Sequence, residues 1–212
     1  MAAPRPTKET LSRSYILDTA LALIDQKGLA QFSMRKLGQA MAVSPMAVYR
    51  YFPNQGALFD GVVESIWQQA LTIAPGTSSA TWQDTVIGVM TQFRRTLLQH
   101  PNVLTLLSTH PLVTESEFAL VAEILPVLQE KGLQITTTTV FLINSLTAYT
   151  LGFVWAEAIP PTPGGQPDPA LMQNLPAPSA SVRELLAPIE KNQYTPDQQY
   201  LMGLNALLRG WE

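Results

Sequence analysis

Apolar residues recur at three- and four-residue intervals along almost the whole chain, and strand-like alternation is scarce, so the pattern predicts an all-α protein. Between Ser12 and Gly28 the stripe is Ile16, Leu17, Ala20, Leu21 and Ile24. It predicts a helix of about four turns, capped by Ser12 and closed by a basic last turn and a glycine at Lys27-Gly28. Ser33 can cap a second, shorter helix through Ala40, with Leu37 inward and Arg35 and Lys36 outward. Met41-Ala42-Val43 then makes a tight turn. Ser44-Pro45 starts a third helix, because the serine oxygen accepts an orphan amide and a proline at the first helical position has none to leave unpaired. This helix spans Pro45 to Tyr51 and ends at Phe52-Pro53, since proline disfavours helical geometry in the residue before it. Asn54 caps a fourth, which carries Leu58, Phe59, Val62, Val63, Ile66 and Trp67 and fades at Ala74-Pro75-Gly76.

Beyond the GTSSA linker the helices lengthen: Trp82 to His100, a short piece after Pro101, and Glu115 to Glu130 behind a Thr114-x-x-Glu117 capping box. Pro126 should kink the last of these, and Gly132 ends it. Leu133 to Ala158 is the most apolar segment, with non-polar residues on several faces, which one small domain buries only with a partner subunit. Residues 160–178 hold seven of the 17 prolines plus Gly164-Gly165 and predict a loop. Helices resume at Ser181, and again at Thr195-Pro196 through Leu208. The expected organisation is a three-helix, helix-turn-helix domain over residues 1–60 and a helical bundle over 61–212, interrupted by a proline-rich loop at 160–180. There is no internal repeat.

With 212 residues the chain can bury a substantial core, and its lack of cysteine excludes thiol catalysis, zinc–thiolate sites and disulfides. The opening MAAPRPTKET has no apolar run of signal-peptide length, and no segment runs for about 18 apolar residues without interruption. A soluble, cytoplasmic protein without a membrane partner is expected. The net charge of −3 is unevenly spread: residues 1–60 carry +3 and the remainder −6, and no acidic residue occurs from Gln26 to Phe59. Such a stretch suits close approach of a polyanion.

A short helix after a tight turn, with another helix on its N-terminal side, is the pattern of a helix-turn-helix DNA-binding unit. Tyr49 and Tyr51 then offer hydroxyls to phosphates, with Arg50 adding charge between them, and the helix start at Ser44 adds amide donors. Half-buried packing is the alternative for each tyrosine. Base reading falls to Arg35, Ser44, Met46 and Ala47: the guanidinium can fork onto guanine, and the apolar side chains can meet thymine methyls. Ser33, Met34, Pro45 and Gln55 complete the candidate surface.

These residues carry a family resemblance. Residues 12–63, SRSYILDTALALIDQKGLAQFSMRKLGQAMAVSPMAVYRYFPNQGALFDGVV, resemble without a gap the N-terminal domain of the TetR family of transcriptional repressors. The most diagnostic pieces are Gly28-Leu29, Phe32-Ser33-Met34-Arg35, Val43-Ser44 and Val48-Tyr49-Arg50-Tyr51-Phe52. The remainder is similar to the tetracycline-repressor-like subgroup through His100-Pro101, Leu128 with Gly132-Leu133, Tyr149 to Phe153, and Tyr200 to Leu204. The resemblance implies a homodimer joined by a four-helix bundle, here from Leu133–Ala158 and Thr195–Leu208, a double-stranded DNA operator, and a small effector bound in the C-terminal domain. Effector binding would swing the fourth helix and spread the two recognition helices. The chain has Gln55 where many relatives have a phosphate-holding lysine. It has Leu106 and Ala156 where relatives that bind magnesium-tetracycline have a histidine and a glutamate, so neither tetracycline nor a metal is expected.

Candidate lining for the effector pocket is Phe93, Leu97, His100, Leu106, Leu107, Leu128, Phe141, Asn144, Tyr149, Phe153 and Trp155, a mostly apolar set with few polar groups. Ordinary core or dimer interface is the competing assignment for each apolar member. His100 and His110, each before a proline, are alternatively helix C-terminal caps. No metal-spaced cluster or glycine-rich phosphate loop is present, so no enzyme chemistry and no cofactor are expected. Three readings stay open: a ligand-responsive dimeric repressor, a DNA-binding dimer without a small effector, and an all-α ligand-binding protein without operator binding. Whether the effector releases or tightens DNA is also open.

Overall fold

The computed structural model describes residues 11–71, 81–109, 115–159 and 195–211, together with 179–181, 184 and 187. The GTSSA linker, His110, the Thr114 capping box, the proline-rich segment and most of the helix expected after Ser181 lie outside the described residues. Within them the secondary structure is helical and contains no strand.

Helix α1 (Arg13–Lys27) opens where the Ser12 hydroxyl accepts the Tyr15 amide and closes at Gly28, whose φ is 75°. Its buried face is Ile16, Ala20, Leu21 and Ile24. Helix α2 (Met34–Ala40) is capped by Ser33, and α3 (Pro45–Tyr49) follows the turn in which Ala42 takes a φ of 55°. The close approach of α2 to that turn requires a glycine: a Cβ on Gly38 would meet the Val43 carbonyl oxygen at 3.0 Å and Pro45 N at 3.3 Å. Two details differ from the sequence expectation. Ser44 makes no side-chain cap, because the Ala47 amide already bonds the Ser44 carbonyl at 2.9 Å. Helix α3 is also shorter, and the Tyr51 and Phe52 amides both close back onto the Val48 carbonyl.

Asn54 Oδ1 accepts the Ala57 amide at 2.8 Å and starts α4 (Gln55–Leu71). The expected domain boundary at residue 60 falls inside this helix. Its first half packs against α1 and sets Phe59 on Phe32, with centroids 5.2 Å apart; its second half stacks Trp67 on Phe93 of α5 (Trp82–Gln99) at 4.1 Å.

A 3₁₀ turn at Pro101–Val103 leads into α6 (Leu104–Thr109), and α7 (Glu115–Glu130) continues through Pro126. Helix α8 (Thr139–Ala158) begins later than the expected Leu133. The threonine run explains this: Thr139 Oγ1 accepts the Thr136 amide at 2.9 Å, and the Thr136 and Thr138 hydroxyls lie 2.8 Å apart. Such local bonds compete with helical ones. Helix α9 (Pro196–Arg209) has a full capping box between Thr195 and Gln198.

Helices α5, α8 and α9 meet around a polar knot. Arg94, 3% exposed, holds Glu157 through Nε at 3.0 Å and Nη2 at 2.8 Å, and Asp197 through Nη1 at 2.6 Å. Burial opposes its charge, but these hydrogen bonds and carboxylates outweigh it and raise its pKa above the ordinary value. Beside it the fully buried Tyr200 donates to the Met90 carbonyl at 2.9 Å, and its hydroxyl lies 2.7 Å from Thr150 Oγ1. Tyr149 stacks on Tyr200 and presses its hydroxyl against α9 at Gly203, where a Cβ would collide with it.

Burial pushes the Tyr200 phenol from 10.0 up to about 12. The folded state therefore keeps a proton that the unfolded chain loses, so stability falls as pH rises above the unfolded value near 10 and through the folded value. Tyr200→Phe should cost about 1–2 kcal/mol at neutral pH through its lost hydrogen bonds. Urea unfolding at pH 8 and pH 11 checks both effects, since the gap between wild type and variant should narrow at the higher pH.

Candidate functional site

The turn between α2 and α3 projects a surface free of acidic side chains. Met46 is 70% exposed and Tyr49 39%. Arg35, Ser44, Arg50 and Gln55 are also exposed, while Ser33, Pro45 and Ala47 are half-buried at its edge. Neither Arg35 nor Arg50 has a carboxylate partner among the described residues. Lys36 instead donates to the Gln31 carbonyl at 2.6 Å and secures the turn before α2.

Two members of the expected surface point elsewhere. Met34 is buried, since it shares the inner face of α2 with Leu37 and Gly38 at helical spacing. Tyr51 does not offer its hydroxyl outward: it is half-buried and donates to the Leu11 carbonyl at 2.6 Å. The pair of tyrosines thus divides, with Tyr49 facing out and Tyr51 tied inward.

Away from the helix-turn-helix a cavity of about 200 Å³ lies between α4, α5, α7 and α8. Helix α4 contributes Trp67 and Leu71; α5 contributes Trp82, Val86, Val89 and Met90; α7 contributes Val121, Ile124, Leu125 and Leu128. Leu133 and α8 close it, and besides the indoles of Trp67 and Trp82 its polar side chains are Thr139, Asn144 and Thr147, all on α8. No charged side chain lines it among the described residues. Three neutral polar groups on one wall can orient an uncharged molecule, while the other walls supply apolar contact.

Of the eleven expected lining residues, Leu128 and Asn144 reach this cavity. Phe93 lies behind Trp67, and Leu97, Leu106 and Leu107 are core residues. Tyr149 and Phe153 pack on Tyr200. Phe141 and Trp155, 58% and 44% exposed, are on the outer face of α8. His100 is bound to α1, its Nδ1 lying 2.7 Å from Asp25 Oδ2, and Asn102 Nδ2 donates to the Asp25 carbonyl at 2.8 Å. Nothing in the sequence distinguishes Trp67 and Leu71 as lining residues, because their spacing on α4 is that of an ordinary core stripe. Trp82, Val86, Val89 and Met90 share one face of α5, and that periodicity was the available signal.

Sequence and structure comparisons relate the chain to known proteins. The family profile described as bacterial regulatory proteins, tetR family, matches residues 16–62, and that of the tetracyclin repressor-like C-terminal domain matches residues 74–212. An HTH-type transcriptional regulator of Saccharopolyspora erythraea is 30% identical over 53% of the chain and 47% of its own length. The tetracycline repressor protein class D of Escherichia coli is 26% identical over 95% of the chain and 89% of its own length. The chain thus spans about half of the first relative and nearly all of the second. Among solved structures, the Streptomyces coelicolor TetR family protein ActR in complex with actinorhodin superposes with a TM-score of 0.69 at 22% identity, covering 98% of this chain and 97% of that one. It bears out the all-helical fold with an N-terminal helix-turn-helix. With both parts matched in order, and the C-terminal profile alone covering more than half of it, the chain belongs to the TetR family of transcriptional regulators.

Proposed function

We propose that this protein is a homodimeric repressor that binds a palindromic DNA operator through α2 and α3 and leaves it when a small, uncharged, largely apolar molecule fills the cavity. The observation that carries the reading is the double membership of α4. The helix follows the exposed end of α3 at Tyr49 and Arg50 and ends in the cavity wall with Trp67 and Leu71. An occupant that displaces Trp67 or Leu71 moves a rigid helix seated under the DNA-facing unit. Recognition helices of a dimer must lie about 34–36 Å apart to enter successive major grooves, so a small swing of α4 suffices to lose register.

The homodimer is supported by the apolar side chains left on the outer faces of α8 and α9, among them Phe141, Trp155 and Met202. Helix α8 is long and apolar enough by composition to cross a membrane. Packing against α5 and α9 on one side, with a partner copy on the other, accounts for that composition without a bilayer. DNA as the partner makes the cytoplasm the site of action. The family consists of regulators rather than enzymes.

Selection of random duplexes by the purified chain at two salt concentrations tests the DNA reading. The expected result is enrichment of a palindrome with half-sites one helical turn apart; weak, sequence-blind binding that disappears with salt would refute it. On the enriched duplex, Arg35→Ala should cost about 1–3 kcal/mol of affinity if its guanidinium reads a base edge. Tyr49→Phe should cost about 1 kcal/mol, the ordinary worth of one hydrogen bond.

The effector reading is tested with a panel of uncharged polycyclic aromatic compounds. A binder should alter Trp67 and Trp82 fluorescence and raise the melting temperature, by an amount equivalent to about 2.7 kcal/mol at a hundredfold excess over its dissociation constant. Ile143→Trp, which fills the cavity, should abolish both responses. Failure of every uncharged compound alongside binding of charged ones would reject the proposed ligand class.

A further inference from the structure

The start of α1 and the end of α3 are joined by two hydrogen bonds that cross 40 and 38 residues of sequence: Tyr51 Oη donates to the Leu11 carbonyl at 2.6 Å, and Arg13 Nη1 donates to the Tyr51 carbonyl at 2.8 Å. The same guanidinium carbon lies 4.3 Å from the centroid of the Phe52 ring, and Phe52 is buried. One cation therefore meets a carbonyl at the negative end of a helix and an aromatic face together. Tyr51 in turn grips the residue before the Ser12 cap, so the two contacts form a closed loop from Leu11 to Arg13 and back through Tyr51.

Helix α3 needs such support. Its five residues are too few for independent stability, and its outer side chains, Met46 and Tyr49, lie within one turn of each other. Its N-terminal end is fixed by the close approach of Gly38 to Val43 and Pro45. Its C-terminal end is fixed by burial of Val48 and Phe52 and by the bonds to Arg13 and Tyr51. We infer that Arg13 and Tyr51 are positioning residues for DNA recognition, bracing α3 from α1 at the angle that presents Met46, Ala47 and Tyr49. Neither acts as a phosphate contact: the Tyr51 hydroxyl proton is committed to Leu11, and the Arg13 guanidinium is held between a carbonyl and a ring. The inference rests on the DNA-binding reading above.

Arg13→Gln, Arg13→Lys and Tyr51→Phe test it, each titrated as the full chain onto the enriched palindrome and onto a scrambled duplex across a range of salt concentrations. Loss of the brace should weaken palindrome binding about five- to tenfold, as for one interaction of ordinary strength. Binding to the scrambled duplex, and the slope of log affinity against log salt, should stay at wild-type values. Lysine should not rescue, because an ammonium lacks the planar fork that reaches carbonyl and ring together. A slope reduced by about 0.9 in Arg13→Gln and restored by Arg13→Lys would identify a phosphate contact and overturn the inference. Wild-type palindrome affinity in all three variants would overturn it too, while leaving the DNA-binding reading intact. If the wild-type chain itself enriches no palindrome, that reading fails and the inference falls with it.

Discussion

Helix α4 runs from the helix-turn-helix into the C-terminal bundle through one continuous hydrophobic core, and the rest of the architecture is arranged around that constraint. Its 17 residues extend for roughly 25 Å at 1.5 Å per residue. Leu58 and Val62 are fully buried near its start, and Trp67 lies on Phe93 near its end. Bending it would break backbone hydrogen bonds in series, so under the proposed mechanism a displacement at the cavity wall would emerge as a tilt of the helix-turn-helix unit. The two packings at its ends are aromatic and aliphatic, hence tolerant of small rotations that directional polar bonds would resist.

Charged interactions are correspondingly kept away from the cavity. Helix α5 separates them along its length: Val86, Val89 and Met90 line the cavity, while Arg94, one turn further on, holds Glu157 of α8 and Asp197 of α9. A buried cation with two carboxylates fixes the relative register of three helices more strictly than apolar packing does, although its net contribution to stability is small once desolvation is counted. The side of the bundle facing Arg94 is therefore specified, and the side facing α4 and α7 is left adaptable. The cavity and α4 both lie on the adaptable side.

The fold was legible in the sequence wherever local chemistry decides local structure. Ser12, Ser33, Asn54 and Thr195 all cap helices, and Gly28 and Gly132 take the positive φ expected of helix stops. Ser44 looked like the same device and is not one, because a backbone bond had already taken the amide. The late start of α8 follows from threonine hydroxyls that only coordinates reveal as bonded to neighbours. The exposed surface was largely readable from charge and helical spacing, with Met34 and Tyr51 lost to contacts set by tertiary packing. The cavity was least readable. A stripe such as Val86, Val89 and Met90 looks the same in sequence whether it faces a void or a neighbouring helix, and which it faces depends on how four helices close together.

The grip of His100 and Asn102 on Asp25 bears on how separable the two halves of the chain are. The junction includes a side chain and a main-chain carbonyl of α1 recognised by residues just beyond the end of α5. Cutting within α4 alone would leave that recognition without its partner. A chimaera that grafts this helix-turn-helix onto another effector domain has to carry the residue pair as well as the shared helix, so the modular unit for engineering is a discontinuous one.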